Sequence, residues 1–293
     1  MYLVSPTTRY LVSPISCILY LLYILYILYL LYILYLLYPV LIILYLVYFV
    51  YPISCIFYHV SCISYNKGAS VIRMLHNFIG NDAFRRGMNA YLTQHSYKNT
   101  QTEDLWRALT DASQKPVGEV MSTWTGQMGF PLIRVEKLSH DGGKMKLRLT
   151  QEKFTADGKK SEKDFHWRIP IDVVTSEGKT ESFLMKDTTM EVEVECEKWA
   201  KLNRNFIGYY RVLYAPEYLD AFLPDVASRE MSELDRLNLV DDLMASVQAG
   251  HTSASVALNF ISEGLRHDES YVVWSCVVNC FGKVRREWTN LES

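Results

Sequence analysis

The sequence predicts a multi-domain chain of the α and β class. A helical block, residues 65–130, leads into a small antiparallel β-sandwich, residues 131–214. A partial α-helical block follows, residues 215–293, and a low-complexity hydrophobic segment, residues 1–64, precedes all three. Two observations carry this reading. Apolar residues recur at helical spacing before "MGFPL" and after Ala215-Pro216, and at period two between them. No Lys, Arg, Asp or Glu lies between Arg9 and Lys67, whereas from Lys67 onward charges of both signs mix as on a soluble surface.

In the first segment Tyr recurs at every third position from Tyr20 to Tyr38. At about 100° per residue, three steps turn about 300°, so these Tyr spiral round a helix and make no stripe. A strand would need period two. Short words repeat too: "LVSP" at 3–6 and 11–14, "PISCI" at 14–18 and 52–56. Leu, Ile and Tyr all have A/T-rich codons, so the triplet reads as a translated DNA microsatellite, non-coding sequence joined to a real exon. The structural alternative is a hydrophobic membrane anchor, since a span needs about 20 apolar residues. A signal peptide fits less well, because the run is too long and lacks a basic start.

Val71, Met74, Leu75, Phe78 and Ile79 share one helix face, with Gly80 as the stop and Asp82 as the next N-cap. Phe84, Met88, Tyr91 and Leu92 mark a second helix. Thr102, Glu103 and Asp104 open a third that carries Leu105, Trp106 and Leu109. Val117, Val120, Met121 and Trp124 mark a fourth. Three alternating runs then predict half-buried strands: Met145-Leu147-Leu149, Phe165-Trp167-Ile169-Ile171-Val173 and Met190-Val192-Val194. Phe165 and Trp167 are the largest core candidates there, and Lys146, Arg148, Glu191, Glu193 and Glu195 are expected to face water. This sandwich is expected to fold even when cut from the rest. Asp141-Gly142-Gly143 and Ser176-Glu177-Gly178 are turns. Leu234, Leu237, Leu239, Val240, Leu243 and Met244 mark a helix with Asp235, Asp241 and Asp242 on its polar side; Val256, Phe260 and Ile261 mark the next.

Chemistry-bearing motifs are few. A formal net charge of −2 and a pI near 6.4 give no electrostatic reason to propose nucleic acid as a partner. Of six cysteines, three lie in the hydrophobic segment. The rest of the chain is Cys-poor, which fits a reducing compartment. Cys276 and Cys280 stand four apart on a helix and read as small core residues, not as a metal pair, because no second Cys or His pair is near in sequence. None of the seven histidines opens an H-E-x-x-H frame. "GKT" at 178–180 reads as a hairpin turn, and His95-Ser96 as a solvated helix end. Tyr65, just ahead of the Lys67-Gly68-Ala69 helix start, reads on physics alone as packing.

The run "SYNKGASVIRMLHNFIG" from Ser64 adds a second reading for Tyr65. It resembles the puromycin-sensitive branch of the zinc aminopeptidase family that includes membrane alanyl aminopeptidase. "FRRGMNAYLTQHSYKNTQTEDLW", "VMSTWTGQMGFPLI", "LNRNFIGYYRVLY" and "DRLNLVDDLMASVQAG" follow in family order. The resemblance implies the helical end of a thermolysin-like catalytic domain, then the sandwich, then the start of a C-terminal α-domain. It implies an enzyme that removes N-terminal residues from peptides, with zinc held by H-E-x-x-H and a later Glu, and a G-x-M-E-N strand gripping the substrate amine. A Tyr in the S-Y-x-K-G-A block donates its phenol O–H to the oxyanion, and Tyr65 is the matching position. This chain contains neither H-E-x-x-H nor G-x-M-E-N. The resemblance therefore implies zinc and a peptide substrate for a cytoplasmic parent enzyme. The chain as written is expected to bind no metal and to be inactive alone. The alternative is a membrane-anchored pseudoenzyme or a peptide- or protein-binding module, with a membrane partner only if residues 10–60 are translated.

Overall fold

The computed structural model describes residues 65–161 and 163–291, with side chains through Gly282. The readings of residues 1–64, namely repeat, anchor and exon junction, lie outside the described residues.

Four helices come first: α1 (Gly68–Ile79), α2 (Asn81–Gln94), α3 (Thr102–Ser113) and α4 (Val117–Thr125). α1 buries Val71, Met74, Leu75 and Ile79 and stops at Gly80, whose φ of 87° a side chain would strain. α2 restarts at once from Gly80, so Asp82 sits inside the first turn, where its carboxylate still favours the helix's positive end. The Gln101 backbone N–H donates to Asp104 Oδ2 at 3.0 Å, one half of a capping box that starts α3. α4 buries all four residues that the helical period marks.

Seven strands follow: β1 (Pro131–Asp141), β2 (Lys144–Lys153), β3 (Ile169–Thr175), β4 (Thr180–Met185), β5 (Thr189–Glu195), β6 (Ala200–Leu202) and β7 (Arg211–Tyr214). They form two sheets, ordered β5-β2-β1-β7 and β4-β3-β6. All pairs are antiparallel except β1 with β7, which is parallel. A parallel pair needs a long crossover, and the strands of the second sheet supply it. Asp141 faces Lys144 across a two-residue turn in which Gly142 and Gly143 take φ of 58° and 76°, the positive values such a turn needs.

The β2–β5 ladder separates two chemistries. Met145, Leu147 and Leu149 face Val194, Val192 and Met190 on the buried side, while Lys144, Lys146 and Arg148 face Glu195, Glu193 and Glu191 on the other. Lys144 reaches Glu193 at 2.9 Å, Lys146 reaches Glu191 at 2.7 Å and Arg148 reaches Glu191 at 3.0 Å. Such exposed pairs contribute little to stability, because water screens them. The Phe165–Val173 alternation is a strand only from Ile169 onward; Phe165–Arg168 pair with no neighbouring strand. Pro170, expected on the polar side, is buried. It is tolerated because β6 pairs only with Val173–Thr175, so no ladder donor is needed from Pro170 on that side.

The last part holds α5 (Pro216–Leu219), α6 (Leu223–Ala227), α7 (Glu233–Gln248), α8 (Ala254–Gly264) and α9 (Tyr271–Leu291). Ser232 and Ser253 cap α7 and α8, accepting from Asp235 N–H at 3.2 Å and Val256 N–H at 3.4 Å. Among the described residues no helix is long and apolar enough to cross a membrane.

One apolar core runs from Val71 to Cys280 without a break at the sheets. Trp124 of α4 meets Trp167 at 6.3 Å between ring centres, and its indole N–H donates to Arg168 O at 3.0 Å. On the opposite flank Phe222 meets Trp199 at 5.4 Å. A segment cut at 131 and 214 would therefore expose faces that Trp124 and Phe222 now cover. A segment spanning residues 117–227 is expected to melt cooperatively and at higher temperature than residues 131–214. Equal melting temperatures by circular dichroism would show that the sheets need neither flank.

Candidate functional site

Tyr65 opens the helical turn that runs into α1, and its side chain is 72% exposed. The helix behind it is tied down along its length. Lys67 Nζ donates to Gln127 O at 3.1 Å and Gly129 O at 3.3 Å, and burial pushes this ammonium below its ordinary pKa. Arg73 donates to Phe206 O at 3.3 Å and Asn205 O at 3.4 Å. Asn77 donates to the Asp172 carboxylate on β3. These polar ties go to three separate blocks of sequence and fix α1 against rotation.

The loop that Arg73 holds belongs to a buried polar network that the sequence reading did not anticipate. Asp235, Asn238 and Asp242 stand one and two turns apart on α7, and all three are buried. They face Lys201, which is wholly buried. Its Nζ donates to Asn238 Oδ1 at 2.7 Å and Leu202 O at 3.0 Å and lies 3.1 Å from Asp235 Oδ1. Asp235 also accepts the Asn205 N–H at 2.7 Å. Asp242 accepts Val212 N–H at 3.0 Å and Asn238 Nδ2–H at 2.9 Å and pairs with Arg211 at 3.0 Å. Burial raises the Asp242 carboxyl to about 6, against the pull of Arg211. Burial also pushes Lys201 down, against Asp235. Of the three acids expected on a solvated face, only Asp241 is partly exposed. The available signal was the spacing of Asp235, Asn238 and Asp242 on one helix face beside leucines.

The other sequence candidates fall as follows. Gly178, with φ of 75°, turns the β3–β4 hairpin, and Lys179 pairs with Glu195 at 3.3 Å, so "GKT" is a turn. Ser96 Oγ donates back to Leu92 O at 2.8 Å at the end of α2. Cys276 and Cys280 come together on α9 beside Asp241 of α7. Zinc of the kind the resemblance implies needs histidines and a glutamate base on one helix. The sequence has no such frame, and among the described residues the group of three convergent donors is Asp241, Cys276 and Cys280, with no histidine. The residues present do not fit that catalytic zinc.

Residues 54–124 match the Peptidase family M1 domain, and residues 199–293 match the ERAP1-like C-terminal domain. The chain is 38% identical over 221 residues to "Puromycin-sensitive aminopeptidase" of Caenorhabditis elegans, covering 73% of this chain and 23% of that protein. It is 36% identical over 211 residues to "Tricorn protease-interacting factor F2" of Thermoplasma volcanium, covering 72% and 25%. It is 35% identical over 227 residues to "Aminopeptidase 2, mitochondrial" of Saccharomyces cerevisiae, covering 77% and 23%. The chain thus spans about a quarter of the length of these relatives.

Proposed function

We propose that this chain is part of a zinc aminopeptidase of peptidase family M1 that removes N-terminal residues from peptides. The part it supplies is the last helices of the catalytic domain, the β-sandwich and the first helices of the C-terminal domain. Tyr65 is its contribution to the chemistry. Its phenol O–H donates one directed hydrogen bond to the oxyanion of the tetrahedral intermediate. The observation that carries the reading is the placement of Tyr65: it is 72% exposed at the head of a helix that Lys67, Arg73 and Asn77 hold in place. A donor must reach substrate yet be rigidly based, and this arrangement suits both needs. The parent enzyme's zinc would come from sequence upstream of Tyr65, and its compartment is read as the cytoplasm.

Transcript reads across the codons for residues 55–70 test the proposal. Reads that join the Tyr65 codon to upstream coding for H-E-x-x-H support it; reads that carry only the Tyr/Leu repeat favour a binding module. The second reading rests on the missing H-E-x-x-H frame. On either reading the chain as given is expected to release no product from a fluorogenic aminoacyl amide, even with zinc supplied, because zinc catalysis takes three protein ligands, an open position and a base. Turnover by the purified chain would overturn that expectation.

A further inference from the structure

We propose that Cys276, Cys280 and Asp241 form a binding site for a thiophilic divalent cation of the zinc class, unrelated to any peptidase zinc. A helix places residues i and i+4 one above the other, so α9 presents both thiols on one face, toward α7. Their sulfurs lie 4.0 Å apart. Two thiolates on one tetrahedral zinc, each at about 2.3 Å, stand about 3.8 Å apart. The pair therefore already has the separation that coordination requires. A carboxylate oxygen of Asp241 completes the group, with the three donor atoms all within 4.8 Å of one another. Small side-chain rotations close the remaining distance.

The surroundings suit a cation. Arg211 Nη1 holds the Asp241 carboxylate at 2.8 Å, the outer hydrogen bond that orients a metal-binding carboxylate. Two thiolates and one carboxylate carry three negative charges. A divalent ion offsets two of them, and the Arg211 guanidinium, which Asp241 shares with Asp242, offsets part of the third. An ordinary thiol carries its proton at neutral pH and adds no charge. Binding breaks two S–H bonds, forms two S–metal bonds and releases two protons to solvent, with no change of oxidation state. A cavity of about 340 Å³ borders all three donors and is lined by Ser275 and Asn279 as well, leaving room for a fourth ligand. Thiolates select zinc-like ions over magnesium or calcium, which take oxygen. The ion would pin α9 to α7.

The test is titration of the reduced, metal-free full chain with cobalt(II). One equivalent should bind with thiolate-to-cobalt charge-transfer absorption, and zinc should bleach it. The Cys276→Ser, Cys280→Ser double variant should lose the absorption, with circular dichroism checking its fold. Asp241→Asn should keep the absorption but weaken binding by roughly tenfold or more. Zinc should also slow alkylation of Cys276 and Cys280 in the unaltered chain at least tenfold by mass spectrometry, a reading that needs no variant. No charge-transfer absorption, absorption that persists in a folded double variant, or alkylation that zinc does not slow would each overturn the site. None of these outcomes depends on peptidase activity.

Discussion

Tyr65→Phe, in a full-length version that carries an H-E-x-x-H helix, is expected to lower kcat by about 10²–10³, or roughly 2.7–4 kcal/mol of transition-state stabilisation. The substitution removes one oxygen and leaves the ring. Contacts that tyrosine makes through its ring therefore survive, and only the O–H donor is lost. A donor aimed at a developing oxyanion acts in the transition state, so KM should move little. If Tyr65 were only packing at the head of α1, Phe would fill the same space and the change would be nearly silent. Steady-state kinetics on the variant decides: a kcat within about threefold of the parent would refute the assignment.

Asp268→Ala is expected to destabilise the C-terminal helices by about 3–5 kcal/mol. Arg236 on α7 and Asp268 just ahead of α9 form a buried pair at 2.7 Å, with side chains 7% and 1% exposed. Arg236 also donates to Met231 O at 2.6 Å, and Asp268 accepts Ser270 N–H at 2.8 Å. A guanidinium does not give up its proton in a protein, so removing Asp268 strands a full charge in the core. Lys201 differs, because a buried ammonium can shed its proton. Adding Arg236→Met to Asp268→Ala should recover most of the loss, since the orphan charge then goes too. Urea unfolding followed by circular dichroism measures both. A single variant that costs under about 1 kcal/mol, the scale of an exposed pair, would mean that water reaches Arg236.

The helices and strands were legible because each element has to bury an apolar face, and that requirement prints its period on the chain. Val71-Met74-Leu75 and Met145-Leu147-Leu149 are buried as their spacing implies. The resemblance to zinc aminopeptidases was legible too, through blocks in order. Pairing was not. Nothing in the period of β1 or β7 says that they lie parallel, because a strand's alternation records which face is buried and not which neighbour supplies the hydrogen bonds. The boundary between buried and solvated carboxylates was hidden for a related reason. Asp235 and Asp242 look like a solvated face until Lys201, 34 and 41 positions earlier, and Arg211 arrive to pair with them. Likewise Cys276 and Cys280 read as small core residues until α7 sets Asp241 beside them. Sequence by itself determined element type, order and the resemblance to a family, since these follow from local periodicity and from blocks of residues. Only the tertiary structure decided which polar groups are buried and paired, since a charge leaves water only where another element supplies its partner.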